Sequence, residues 1–93
     1  MVKVKICGLT RFEDALVALQ AGADYLGFIF YPPSPRAITP EAAASLITHL
    51  RAAFPPGPWP LAPRFVGVFV NEPPAAAAAI LDGCGLDLAQ LSG

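Results

Sequence analysis

Apolar and polar residues alternate at the start of the chain, then recur at helical spacing, and this switch of period repeats along its length. Val2, Val4 and Ile6 fall on one face and Lys3, Lys5 and Cys7 on the other, which predicts a strand over Val2–Ile6. Gly8 and Leu9 turn the chain, and Thr10-Arg11-Phe12-Glu13 reads as a capping box, with Thr10 at the helix start and Glu13 reaching back. Phe12, Leu16, Leu19 and Ala23 continue at helical spacing, and Gly22 suits the helix end. Tyr25–Phe30 is an almost unbroken apolar run, as expected of a strand covered on both faces.

The second half repeats the theme. After a loop from Tyr31 to Arg36, Thr39-Pro40-Glu41 marks a helix start: a hydroxyl cap, a proline in the first turn and an acid facing the positive end of the dipole. Leu46, Ile47 and Leu50 supply its buried stripe. Five prolines between Phe54 and Pro63 exclude regular structure there. Phe65–Val70 reads as a third strand, Ala75–Leu81 as a helix opened by Pro73 and Pro74, and Leu86–Leu91 as a fourth strand. The order is βαβαβαβ, an α/β chain with four parallel strands. A junction of small residue, glycine, any residue and aspartate occurs twice, at Ala21–Asp24 and Cys84–Asp87, two βα units apart. Pattern alone leaves two architectures level: a small doubly wound sheet, or about the first half of a (βα)8 TIM barrel. Gly27 and Gly67, inside strands, suit a crowded barrel interior or a close ligand, yet an open sheet tolerates them.

Composition narrows the class of function. With 93 residues, the chain allows one domain; 55% are hydrophobic and 14% charged, against about 25% charged in average soluble domains. A net charge of -1 weighs against nucleic acid or an anionic membrane as partner. No apolar run reaches the roughly 18 residues of a membrane span, so a cytoplasmic location is expected. Two cysteines, Cys7 and Cys84, offer neither a disulfide framework nor metal spacing, and His49 is the single histidine. No metal site is expected.

In parallel α/β folds, ligands bind at the carboxyl ends of strands. That rule selects Cys7, Gly8 and Thr10, then Phe30–Arg36, Val70 and Asn71, and Ser92 and Gly93. Cys7 stands out: backbone N–H groups and the following helix dipole would favour negative charge on sulfur there, and Lys5 shares its face. The plain alternative is a small buried hydrophobe. Arg36 follows three prolines, and a guanidinium on a stiff loop suits bidentate binding of a carboxylate or phosphate. An exposed surface arginine is the competing reading. Capping accounts for Thr10 and Asn71, packing for Trp59, solvation for His49, and a structural role for Cys84.

Six segments together carry a resemblance: Lys5–Thr10 (KICGLT), Ala21–Asp24 (AGAD), Gly27–Tyr31 (GFIFY), Ser34–Arg36 (SPR), Val66–Asn71 (VGVFVN) and Gln90–Gly93 (QLSG). Their order and spacing resemble the phosphoribosylanthranilate isomerase family across essentially the whole chain. The resemblance implies a (βα)8 barrel of tryptophan biosynthesis of which residues 1–93 form the amino-terminal half, ending at strand four. It implies a cofactor-free Amadori rearrangement of N-(5-phosphoribosyl)anthranilate, a small-molecule substrate. Under it, Cys7 falls on the general base and Arg36 on the residue that holds the anthranilate carboxylate.

Two departures accompany the match. The family's aspartate acid and its phosphate site lie beyond strand four, so the 93 residues alone are expected to be inactive. Ser92 also stands where the family usually carries histidine. The alternative reading is a non-catalytic half-barrel module that assembles with a partner chain or with itself, two copies pairing through open sheet edges. A phosphorelay receiver is rejected, because Cys7-Gly8 and Asn71 stand where it needs acidic residues.

Overall fold

The chain switches between strand and helix where its hydrophobic period switches. A computed structural model describes residues 3–53 and 63–92, arranged as β1 (Lys5–Ile6), α1 (Phe12–Gln20), β2 (Tyr25–Ile29), α2 (Pro40–Ala53), β3 (Arg64–Val70), α3 (Pro74–Cys84) and β4 (Leu88–Ser92). The βαβαβαβ order is as the sequence predicts. The expected start of the first strand at Val2, most of the proline-rich stretch and Trp59 lie outside the described residues.

Helix ends show which local signals operate. Thr39 caps α2 as expected, its Oγ1 accepting the Ala42 N–H at 3.2 Å, and Pro40 opens the helix. The capping box at Thr10 does not form. Arg11 occupies the cap position in extended conformation with no side-chain cap bond, and Glu13 pairs with Arg11 at 3.6 Å instead of reaching back. Asn71 is not the cap of α3 either; Pro73 holds that position. Asn71 adopts a left-handed conformation (φ 54°), and its N–H donates to the Ser92 carbonyl at 2.8 Å, fastening the end of β3 to the end of β4.

Strand order decides between the two architectures. The sheet runs β1-β2-β3-β4, parallel throughout, with no reversal. A doubly wound sheet reverses its order and places helices on both faces; successive right-handed crossovers without reversal place them all on one. Accordingly, Leu26, Phe28 and Phe30 of the β2 segment and Phe65 and Phe69 of β3 form one core with Ala15 and Ala18 of α1, Leu46, Ile47 and Leu50 of α2, and Ala77 of α3. Phe28, Phe69, Leu26, Ile47 and Leu50 are fully enclosed. Gly67 belongs to this helix-facing layer, where an added β-carbon would fall 2.9 Å from Leu86 and Phe69. It makes room for packing, while Gly27 alone takes the interior role.

The opposite face is concave. A flat sheet would set β1 and β4 roughly 14 Å apart, three strand spacings. Yet the Lys5 ammonium donates to the Gln90 side-chain oxygen across that face. Along the ladders Lys5 is level with Tyr25, Tyr25 with Arg64, and Arg64 with Leu86, two residues before the Val66–Leu88 pair. Gln90 is four residues beyond Leu86, close to the stagger of about one residue per strand that closes an eight-stranded barrel. The sheet is a barrel wall.

The repeated aspartate junction clamps that wall. The Asp24 carboxylate accepts the Val4 N–H at 2.7 Å while its own N–H donates to the Val4 carbonyl at 2.8 Å. Asp87 repeats the arrangement on Phe65, at 2.8 Å for each bond. Each aspartate thus holds the start of the preceding strand, following a glycine with positive φ (Gly22 and Gly85). Replacing either Asp24 or Asp87 with alanine removes a charged acceptor from a strand N–H. Each variant should lose about 1 kcal/mol, read as a lowered urea midpoint, with the asparagine variants losing less.

Candidate active site

Cys7, one residue past β1, occupies the concave face. The ladder continued from the Ile6–Leu26 pair brings it level with Gly27 of β2. A β-carbon at Gly27 would sit 2.9 Å from the Cys7 sulfur and 3.2 Å from its Cα. Only a residue without a side chain lets the thiol lie against the neighbouring strand. Cys7 is exposed to the open side of the curve. The reading of Cys7 as a small buried hydrophobe therefore fails.

The backbone donors expected to face the sulfur are used elsewhere. Gly8 and Leu9 both donate to the Gly27 carbonyl, at 3.0 and 3.1 Å. This pair extends the β1–β2 ladder past the regular strand, so the turn is rigid where it carries the thiol. Helix α1 begins at Phe12, five residues after Cys7, beyond the single turn over which a helix end acts strongly.

Arg36 comes to the same end of the sheet. Ser34 donates its N–H to the Tyr31 carbonyl at 2.9 Å, Ala37 to the Ser34 carbonyl at 3.1 Å, and the Ser34 hydroxyl accepts the Arg36 N–H at 3.2 Å. Ala37 then bridges to Ile29, and Ile38 donates to the Ile29 carbonyl at 2.9 Å. The loop is a compact pair of turns ending against β2. Its arginine lies over Gly8: a β-carbon there would meet Arg36 Cδ at 2.7 Å. Gly8 itself has φ +83°, a conformation side chains oppose. Cys7 and Arg36 are thereby gathered around two glycines, and the guanidinium enters no ion pair among the described residues.

The remaining candidates separate from this pair. Thr10 is exposed beyond the turn, and Ser92 ends β4 on the concave face. His49 is exposed on α2 and meets Phe12 edge-on at 6.4 Å, the solvated position expected of it. Cys84 is buried at the end of α3, where its thiol donates to the Pro40 carbonyl at 3.2 Å. Burial pushes that thiol above its ordinary 9.0, and Glu41 adds to the effect. A cleft of about 340 Å³ between α2 and α3, lined by Pro40, Ala44, Ile80 and Cys84 among others, belongs to the helix layer and includes neither Cys7 nor Arg36. The sequence reading missed Gln90 as a partner of Lys5. It also missed Arg51, which donates to the Gly85 carbonyl at 2.7 Å, stacks 4.5 Å over Phe65 and approaches Asp87 at 3.5 Å. The repeated aspartate was the available signal for the second cluster; only curvature reveals the first.

Comparison with known proteins fits this geometry. The sequence profile described as N-(5'phosphoribosyl)anthranilate (PRA) isomerase matches residues 4–93. The chain belongs to the N-(5'-phosphoribosyl)anthranilate isomerase family. It is 52% identical to the isomerase of Pelobacter propionicus and 53% identical to that of Geobacter sulfurreducens, in both cases over all 93 residues. It spans 40% and 41% of those two proteins' lengths. Among solved structures, monomers of the dimeric Thermotoga maritima isomerase superpose with a TM-score of 0.84 at 43% identity, over 100% of this chain and 42% of theirs. A phosphoribosyl anthranilate isomerase in complex with reduced 1-(o-carboxyphenylamino)-1-deoxyribulose 5-phosphate superposes at 0.82 with 42% identity, over 98% of this chain and 42% of that one. Family membership and strand order agree on the (βα)8 barrel, of which this chain supplies four consecutive strands.

The two thiols should separate chemically. Iodoacetamide should modify Cys7 in the folded chain while Cys84 stays protected until denaturant is added, as peptide mapping would read. Because burial raises the Cys84 thiol in the folded state, that state retains a proton the unfolded chain gives up. Stability should be unaffected below about pH 9 and fall as pH rises above it. Cys84→Ala should flatten that fall in urea midpoints measured from pH 8 to 10.5.

Proposed function

We propose that these residues form the base-and-carboxylate half of the active site of an N-(5-phosphoribosyl)anthranilate isomerase. One observation carries the reading: Gly8 and Gly27 gather an exposed thiol and an arginine with no ion pair among the described residues at the carboxyl ends of adjoining strands. The family relative solved with a reduced carboxyphenylamino-deoxyribulose phosphate supports a ligand of that class.

In the rearrangement, an acid protonates the ring oxygen, the C1–O bond breaks, and the amine lone pair forms the C1–N double bond. Cys7 then takes the C2 proton. The C2–H electrons form the C1–C2 double bond, and the C1–N π electrons return to nitrogen, giving an enolamine. The enol hydroxyl gives up its proton and C1 gains one, leaving a ketone at C2 with no net change in atoms or electrons. No cofactor enters. Arg36 holds the anthranilate carboxylate through two parallel N–H bonds, which fixes C1 and C2 relative to the thiol. The acid and the phosphate site would come from strands five to eight of a completed barrel.

The test pairs the chain with strands five to eight of a relative such as the Pelobacter propionicus isomerase. The 93 residues alone should show background turnover, and the completed barrel should be active. Cys7→Ser should lower kcat by about 100-fold or more. Arg36→Lys should raise KM by about 10- to 100-fold, equivalent to roughly 1.5–3 kcal/mol, because lysine lacks the planar fork. An unchanged kcat in Cys7→Ser would overturn the base assignment.

A second reading concerns assembly of the 93 residues by themselves. Four of the five large apolar side chains left exposed among the described residues lie on or beside the outermost strands: Val4, Ile6, Leu88 and Leu91. Such edges present unpaired backbone groups beside apolar surface, which favours two copies pairing β4 of each against β1 of the other. Sedimentation at micromolar concentration should return a dimer; a stable monomer would refute it.

A further inference from the structure

Lys3, Lys5 and Arg64 place cations on the concave face that the reaction above leaves unused, and Lys5 is the nearest of them to Cys7 along the chain. Lys5 and Cys7 are alternate residues of one extended segment, so they leave the same face about 6.6 Å apart along the strand. Gln90 and Ser92 stand in the same relation on β4. The contact between the Lys5 ammonium and the Gln90 side-chain oxygen therefore braces β1 against β4 in the layer directly beneath the one that holds Cys7 and Ser92. Gln90 is neutral, and no carboxylate pairs with Lys5 among the described residues, so the positive charge reaches the layer above unbalanced. A lysine serving only to keep a sheet edge soluble would point its ammonium away from the sheet. This one crosses the concavity to the far strand.

We propose that Lys5, braced by Gln90, is a positioning residue for Cys7. It fixes the thiol's wall against the facing strand and holds a positive potential at the sulfur, within the roughly 8–10 Å over which exposed charges act at physiological salt. The catalytic consequence rests on the isomerase reading; the potential at Cys7 does not.

Two measurements keep these apart. In the 93-residue chain, alkylation of Cys7 is followed with anionic iodoacetate and with neutral iodoacetamide, and the ratio of the two rates reports the local potential. Lys5→Met should lower that ratio by about 3-fold or more, Lys5→Arg should retain it, and Gln90→Leu, which keeps the charge and loses the brace, should fall between. In the barrel completed by strands five to eight, Lys5→Met should lower kcat by about 10-fold with KM within about 3-fold, and Lys5→Arg should restore most of it. A rate ratio indifferent to Lys5→Met and Gln90→Leu, with circular dichroism showing both folded, overturns the proposal. A ratio that depends on Lys5 in a chain whose completed barrel is inactive supports the brace and refutes the isomerase reading. An active barrel whose kcat ignores Lys5→Met refutes the positioning role.

Discussion

All four strands pair in chain order, and this constraint governs where everything else can be. Each strand returns to the edge just vacated by its predecessor, so every right-handed crossover deposits its helix on the same face. The apolar residues of α1, α2 and α3 then meet a single aromatic-rich surface from β2 and β3. The other face receives no helix. It curls, as the Lys5–Gln90 contact shows, and becomes the surface on which polar chemistry can be held by a rigid wall. The Asp24 and Asp87 clamps belong to the same logic, because each ties the beginning of one strand to the approach of the next.

Separation of the two faces explains why the two cysteines differ. Cys84 ends a helix in the packed layer, gives its hydrogen to a carbonyl and is held neutral by burial. Cys7 follows a strand on the concave side, against a glycine, with its sulfur open. The same residue type is inert in one layer and available in the other. Arg36 joins Cys7 because the loop after β2 folds back along that strand and lays its arginine over Gly8. Close approach of backbones sets the site geometry, and two glycines permit it.

Periodicity is read correctly from sequence wherever burial determines it. The β2 and β3 runs, the Leu46–Ile47–Leu50 stripe and the Thr39–Pro40 start of α2 are all in place. Signals that depend on a few exposed polar atoms fare worse. The capping box at Thr10 gives way to an Arg11–Glu13 pair, and Pro73 takes the cap position of α3 in place of Asn71, which sits two residues earlier in a left-handed turn. Both involve exposed groups for which water and neighbouring side chains compete on nearly equal terms. The backbone donors assigned to Cys7 fail for a stronger reason: an adjacent carbonyl on β2 takes them both.

By itself, the sequence determined the element types, their order and the family, because these follow from side-chain period and from motifs carried on contiguous residues. It also marked Cys7 and Arg36, since a parallel strand's carboxyl end is a place legible along the chain. Side-chain pattern left an open sheet and a barrel wall level, with only the family resemblance implying the barrel, and the tertiary structure shows it directly. That choice depends on the order in which strands pair and on how far successive strands are staggered, neither of which is written in any single segment. The same stagger, summed over three ladders, brings Lys5 to Gln90 across 85 residues of chain, an encounter that no local pattern could announce.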